Sequence, residues 1–489
     1  MGHAYSSIIA DFFARFKKID GYDVYFLTGT DEHGLKIQRS AENQNKDPKS
    51  FCNELSKIFE DLTKTLNLSN TDFIRTTEER HKESVQNLWN ILEKNNQIYL
   101  SKYSGWYSVS DEAFYSEEEV EKKDGSKIAK SSGSIVEWVE EESYFFKLSA
   151  WEKPLLEFYD KNKDFILPKS RRNEVISFVK SGLKDLSVSR KSFSWGIKVP
   201  SNENHVVYVW LDALTNYISS LKYPDESNEL FKSFWPADLH IIGKDILRFH
   251  AIYWPAFLLA AGIKPPKRVY GHGWILSGDE KMSKSKGNIL DPLEIINNYG
   301  LDPLRYYLLK EVSFGNDGNI SAEKLESCIN SDLANNYGNL CQRVLAFANK
   351  NCSSIIPKHE FKNEDLDILN SMTDLDKIRF FINNQDINQY MSFLVDRLFA
   401  SNKYFNDQEP WKKKDNNLRL STIVYTAIEL IRKITILLYP VMPQTTIKIL
   451  KVFDIDEKDI NFSTLQSNEI LRENQKINKL DILFKKIEK

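Results

Sequence analysis

Asp23-Val24-Tyr25-Phe26-Leu27 runs straight into Thr28-Gly29-Thr30-Asp31-Glu32-His33-Gly34. The first segment is rich in β-favouring side chains and predicts a strand. The second is small and polar, and predicts a loop at that strand's carboxyl end. Upstream, residues 4–18 place Ile8, Ile9, Phe12, Phe13 and Phe16 at helical spacing. That segment finishes on Lys17-Lys18, which suits the negative end of a helix dipole. Helix, strand and polar cluster in this order are the grammar of an open α/β sheet, whose ligands gather at the carboxyl ends of strands.

Working outward, residues 50–98 read as helical with one strand near 73–75. Between about 100 and 200 the chain becomes aromatic and locally acidic (117–121, 140–142), with short β-like runs. This predicts an inserted α+β module. The α/β pattern resumes at 205–212, continues through Leu239–Asp245 and a helix over about 246–261, and adds a strand at 268–270. From about 320 the pattern is helical in segments of 15–25 residues, which predicts a helix bundle.

Composition narrows the classes. With 489 residues the chain is too long for one core, and 41% hydrophobic with 28% charged residues fits globular domains and not wholesale disorder. The 66 basic and 69 acidic residues leave a net charge of -3, so any polyanion site must come from local placement. Cys52, Cys328, Cys341 and Cys352 show no CxxC spacing. A disulfide framework is therefore not expected, and a reducing cytoplasm is the expected compartment. No run of about 18 apolar residues exists to span a membrane.

The sharpest chemical string is Lys281-Met282-Ser283-Lys284-Ser285-Lys286-Gly287-Asn288, after the turn-rich Ser277-Gly278-Asp279-Glu280. Lysines in a loop of small residues can wrap a polyphosphate, with hydroxyls as extra donors. Composition alone equally supports an ordinary solvated loop. The string resembles the KMSKS signature of class I aminoacyl-tRNA synthetases, and Gly2-His3 looks like the second half of the HIGH signature of that class. The resemblance implies a first strand and a first histidine that this chain does not contain. On that expectation the anion site is partly built and methionine activation weak.

Within the class, Thr28-Gly29-Thr30-Asp31-Glu32-His33-Gly34 resembles the TGTDEHG segment of the methionyl-tRNA synthetase family. Tyr208-Val209-Trp210-Leu211-Asp212-Ala213 resembles its YVWLDA segment. The stretch from Ile241 to Ala256 is a further long match. The resemblance implies a methionine site of Asp31, His33, Trp210, Ala213, Tyr217, Ile246, His250 and Trp254, with Asp31 on the ammonium. Read as bare residues, Asp31 could be a helix N-cap, and the tryptophans and His250 could be core. Aromatic walls suit a polarizable thioether. The resemblance further implies ATP contacts from Gly2, His3, Gly243, Asp245, His272, Gly273, Lys281, Ser283 and Lys284. His3, Lys281 and Lys284 would act on phosphates, and Mg2+ would accompany the ATP.

The segment Gly105–Tyr115 resembles the connective insert in its form without a metal knuckle. No cysteine lies between Cys52 and Cys328, so no structural zinc is expected. Asn339, Arg343 and Trp411 match the anticodon-reading positions, in keeping with the stacking and edge-reading of unpaired bases. Lys412-Lys413-Lys414 suits a solvated charge run or phosphate contact. The implied fold class is α/β: a Rossmann-like parallel-sheet catalytic domain, split by an α+β connective insert and followed by an all-α anticodon-binding bundle. The expected boundaries are 1–98, 99–204, 205–270, 271–330 and 331–489. The implied partners are L-methionine, ATP and methionine tRNA, with no membrane, for a monomer. The alternatives are another class I synthetase or a catalytically impaired tRNA-binding relative.

Overall fold

In the computed structural model, all residues are described except 124, 278, 279, 282–289, 414, 416 and 489. The side chains of Tyr103, Glu280 and Lys281 are also outside the description. The chain divides into two compact units, Met1–Val24 with His272–Lys489, and Tyr25–Gly271.

The first unit begins with helix α1 (Gly2–Ile19). Its expected apolar face is buried, with Phe12 and Phe16 meeting the ring of Tyr390 edge-on. One polar group interrupts that face. The buried Asp11 accepts from Arg15 Nε at 2.8 Å and from Arg305 Nη2 at 2.6 Å, while Arg305 also donates to the carbonyls of Pro440 and Val441. This cluster fixes how α1 sits on helix Leu301–Glu311 and on the 440–441 turn. Such a buried pair specifies geometry more than it adds stability.

The rest of the unit holds a small sheet, in which Ile275–Ser277 lies antiparallel to Glu280–Lys281 and parallel to Gly318–Asn319. Helices follow to Gln466. Among them Asn417–Leu438 is buried on almost every side, and within it the buried Arg432 pairs with Glu429 at 2.7 Å. Most segments are shorter than the sequence pattern predicts, and one stretch, Ile329–Gly338, is π-helical. The described residues 467–488 form no helix.

The second unit opens with strand β1 (Leu27–Thr30), then helices α2 (Leu35–Glu42) and α3 (Pro48–Thr65), strand β2 (Asp72–Arg75) and helix α4 (Glu79–Lys94). Strands β1 and β2 pair in parallel, Leu27 opposite Asp72 and Thr30 opposite Arg75. The ladder therefore sits further along the chain than the apolar run at 23–27 suggested, because the partner strand starts opposite Leu27. Gly29 is required there: a Cβ would lie 1.9 Å from the Ile74 carbonyl oxygen. A second parallel pairing joins Ile166–Leu167 to Val269–His272, whose other neighbour is His240–Gly243.

The insert supplies strand β3 (Ile98–Ser108), antiparallel to strand β4 (Ala113–Tyr115) and to Glu137–Phe146. Its helices are Glu152–Lys161 and Lys169–Lys180. The strand expected at 205–212 covers Asn202–Val207, and it joins a small antiparallel sheet with Ser189–Arg190 and Lys198–Val199. The helix expected over 246–261 is also irregular. It starts as a 3-10 turn at Lys244–Ile246, passes through a π-turn at Phe249–Tyr253 and becomes α-helical at Trp254–Ala260. No described helix is long and apolar enough to cross a membrane.

Candidate functional site

The loop after β1 carries Asp31, Glu32 and His33. Glu32 turns inward and is fixed by Arg75 Nε at 2.7 Å, by Arg75 Nη2 at 3.0 Å and by Thr30 and Thr77 hydroxyls. These bonds outweigh burial and hold its pKa below the ordinary value. Asp31 faces out and is exposed. Crowding by protein on its inner side pushes its pKa well above the usual carboxylate value, with the nearby charges of Asp212 and Glu112 adding to the effect. An incoming cation would reverse that cost, so the geometry suits an ammonium.

His33 is buried and its Nδ1 lies 2.7 Å from Asp212 Oδ2. The other carboxylate oxygen of Asp212 lies 2.8 Å from His81 Nε2, and His81 Nδ1 lies 2.9 Å from the Ser219 hydroxyl. Burial alone would raise the pKa of Asp212, but the two histidines overcome it and hold the group below its ordinary value. An ionised carboxylate only accepts, so both facing ring nitrogens carry hydrogen. This sets His33 as the Nδ1–H donor.

Asp212 belongs to helix Val209–Leu214, which also carries Trp210 and Ala213. Trp210 stacks flat on Phe249, 3.7 Å between centroids and 4° between planes. Tyr217 and His250 form the polar edge of the same aromatic group. The Tyr217 hydroxyl is 2.9 Å from His250 Nε2, and His250 Nδ1 is 3.0 Å from the Ile246 carbonyl. The carbonyl can only accept, so Nδ1 donates and Nε2 receives the phenol's proton. Burial drives the pKa of His250 down to about 4, keeping the ring neutral. Behind Tyr217 lies His240, stacked at 3.9 Å, and burial lowers its pKa well below the ordinary value as well. Trp254 is fully buried and closes the back, 6.4 Å from Tyr217 between centroids. All the expected methionine-site residues thus fall within the second unit. The π-turn replaces the regular spacing that the sequence implied for Ile246, His250 and Trp254.

Asp245 is exposed just past strand His240–Gly243, at the end where ligands bind in parallel sheets. Its Oδ1 lies so near Gly243 that a Cβ there would come within 2.5 Å. Sequence reading missed Arg190, a buried guanidinium ringed by Tyr107, Phe114 and Tyr208, at 5.4, 4.1 and 4.6 Å from their centroids. Its Nη1 donates to Ser189 O and Ser187 Oγ, whereas Nε and Nη2 have no partner among the described residues. It lines a cavity of about 90 Å3, together with Leu35, Arg39 and Glu141. Such an edge can receive a carboxylate. A buried arginine was the available signal, but burial is not visible in one sequence. His81, Asp212 and Glu112 were missed as partners for the same reason.

In the first unit, Gly2 and His3 start α1 and are exposed. The same helix presents Tyr5 edge-on to His272 at 5.2 Å, and the Ser6 hydroxyl lies 2.7 Å from His272 Nε2. Thus His272 is brought to the start of the helix that bears His3. Gly273 is explained by packing, since a Cβ would sit 2.1 Å from the Asn316 backbone. Ser283, Lys284 and the side chain of Lys281 lie outside the described residues. Among the described residues no group of three or more His, Cys, Asp or Glu could hold a metal ion.

Further along that unit, helix Asn339–Asn351 exposes Asn339 and holds Arg343, one turn on, half-buried. Arg343 Nη2 donates to Asn406 at 2.6 Å, and its guanidinium lies 5.8 Å from the ring of Phe405. Phe405 also meets Trp411 edge-on at 6.2 Å, leaving Trp411 41% exposed. Arg343 and Trp411 are thus gathered on one buried ring, a large exposed aromatic beside a planar cation. That pairing suits unpaired bases.

An exposed acid just after a parallel strand, stacked aromatics around a buried neutral histidine and a helical C-terminal region fit a class I aminoacyl-tRNA synthetase. Residues 1–345 match the family model "tRNA synthetases class I (M)", and residues 364–489 match "Anticodon binding domain of methionyl tRNA ligase". The methionine–tRNA ligase of Rickettsia felis is 47% identical, with 100% of this chain and 96% of that one aligned. That of Brucella suis is 46% identical over 96% and 92%. Among solved structures, Mycobacterium tuberculosis methionyl-tRNA synthetase in complex with methionyl-adenylate superposes with a TM-score of 0.95 at 43% identity, covering 99% of this chain and 96% of that one. The chain belongs to the methionyl-tRNA synthetase family.

Proposed function

We propose that the chain activates L-methionine with ATP and transfers it to the 3′ end of methionine tRNA. In the first step a methionine carboxylate oxygen bonds to the α-phosphorus of ATP. The bond to the bridging oxygen breaks and pyrophosphate leaves. In the second, a ribose hydroxyl of the terminal adenosine attacks the acyl carbon and AMP leaves. The residues contribute position and charge, not a covalent nucleophile. Asp31 holds the ammonium. Trp210, Ala213, Tyr217, Ile246, His250 and Trp254 enclose the thioether, and His33 orients the Asp31 end. Asp245 and Gly243 take the ribose side of ATP, with Gly2, His3, His272 and Gly273 toward the nucleotide. Lys281, Ser283 and Lys284 take the phosphates. Mg2+ arrives with ATP and supplies further charge neutralisation. Asn339, Arg343 and Trp411 read the anticodon.

The observation that carries the methionine reading is the neutral Tyr217–His250 pair within an aromatic enclosure, beside an exposed acid. A monomer in the cytoplasm, without structural zinc, completes the reading. So does the division into 1–98, 99–204, 205–270, 271–330 and 331–489. The test is pyrophosphate exchange with methionine against isoleucine. Exchange with isoleucine alone would favour another class I enzyme. No exchange with either, alongside firm tRNA binding, would favour a catalytically impaired relative.

A further inference from the structure

The insert string Ser108-Val109-Ser110-Asp111-Glu112-Ala113 takes no part in the substrate contacts proposed above. It forms the turn between β3 and β4, and Glu112 sits in it with φ 48°, a left-handed conformation uncommon for a residue with a Cβ. Its side chain reaches the start of α2, where Oε1 accepts from the Lys36 backbone N–H at 3.1 Å. Helix α2 has Gly34 at its N-cap and no side-chain cap of its own, so Glu112 supplies the acceptor that the helix start lacks. The approach is close enough to dictate the neighbour. A Cβ on Gly34 would lie 2.1 Å from Glu112 Oε1, and Gly34 itself adopts φ +106°. Gly34 follows directly on Asp31, Glu32 and His33. A carboxylate from the insert therefore clamps the last residue of the loop that bears the ammonium-binding acid.

Other contacts support the clamp. Lys36 Nζ approaches the Ser110 carbonyl at 3.5 Å, and Arg39 further along α2 pairs with Glu137 of the insert at 3.3 Å. Glu112 is also among the charges that act on Asp31.

We propose that Glu112 is a positioning residue for methionine binding: it anchors the Asp31–Gly34 loop through the first turn of α2, so that the insert takes part in forming the ammonium end of the site. This rests on the reading of Asp31 as the ammonium partner. The chemistry separates Glu112 from Asp31. Asp31 meets the substrate, whereas Glu112 meets backbone and acts through it.

The experiment measures KM for methionine and for ATP by pyrophosphate exchange in E112A, E112Q and D31N, with thermal melting of each. Glu112→Ala removes the acceptor and should raise KM for methionine about two- to twelvefold, as expected for losing one hydrogen bond. KM for ATP should stay within about twofold. Glu112→Gln keeps an oxygen for the Lys36 N–H and should recover most of the loss, which assigns the effect to that hydrogen bond and not to the carboxylate's charge. A methionine KM in E112A within twofold of wild type, while D31N is strongly impaired, overturns the clamp and leaves the Asp31 reading standing. Equal rises in both KM values with a large drop in melting temperature also overturn it. An unimpaired D31N sinks the underlying reading instead.

Discussion

Replacing Asp212 by Asn tests the buried link behind His33. The side chain is fully buried and receives ring N–H donors from His33 at 2.7 Å and His81 at 2.8 Å. Hydrogen bonds to a charged group contribute about 1.5–3 kcal/mol each. The amide keeps one oxygen as an acceptor but turns a donor toward the other ring, which must switch tautomer or lose its partner. One charge-assisted bond is weakened and the other broken or inverted, so unfolding free energy should fall by about 2–4 kcal/mol. Urea denaturation reads this as a lower midpoint at unchanged slope. The pH dependence carries its own sign. The Asp212 pKa is lower in the folded protein than its ordinary 3.8. Its contribution is thus fully present above that value and lost as pH falls through the lower folded value. Asp212→Asn should be flatter than wild type on this acid limb. Because His33 would lose its fixed orientation, KM for methionine should rise as well. A stability loss under about 1 kcal/mol with an unaltered acid limb would refute the claim that the two histidines hold an ionised carboxylate.

Three further outcomes follow from the geometry. Trp411→Ala should raise KM for tRNA by about 5- to 150-fold, matching the ~1–3 kcal/mol of one base stack, while pyrophosphate exchange stays at the wild-type rate; a matching fall in exchange would place Trp411 elsewhere in the mechanism. Tyr217→Phe leaves His250 Nε2 without its donor, costing about 1–3 kcal/mol, so KM for methionine should rise without a change in KM for ATP. His250 falls from 6.5 to about 4 on folding, so its stabilising share is whole above pH 6.5 and shrinks as pH drops toward 4, by about 3 kcal/mol in all; melting of His250→Phe across that range should show a shallower decline, and identical slopes would count against a neutral buried ring.

Much of the site was legible because it is written locally. β1, its polar loop and the Tyr208–Tyr217 and Ile241–Ala256 strings each occupy one continuous stretch, so residue type and order suffice. What stayed hidden depends on distance along the chain. His33 meets Asp212 across 179 positions, and His81 meets it across 131. No local pattern distinguishes those partners from any other histidine or aspartate. Arg190 and Glu112 look like surface residues until burial is known. The strand at 202–207 was recognised, but not its antiparallel neighbours, because apolar runs do not state their pairing. The π-turn escaped because periodicity arguments assume 3.6 residues per turn throughout.

That π-turn gives the helix slack in length at one place. The stretch Phe249–Tyr253 holds more residues per turn than the α-helical stretch beyond it. Because the wide turn absorbs one extra residue, deleting one there would let the segment close as a regular α-helix with Trp254 still facing the same way. The same deletion inside Trp254–Ala260 meets no wide turn and would rotate everything downstream by about 100°.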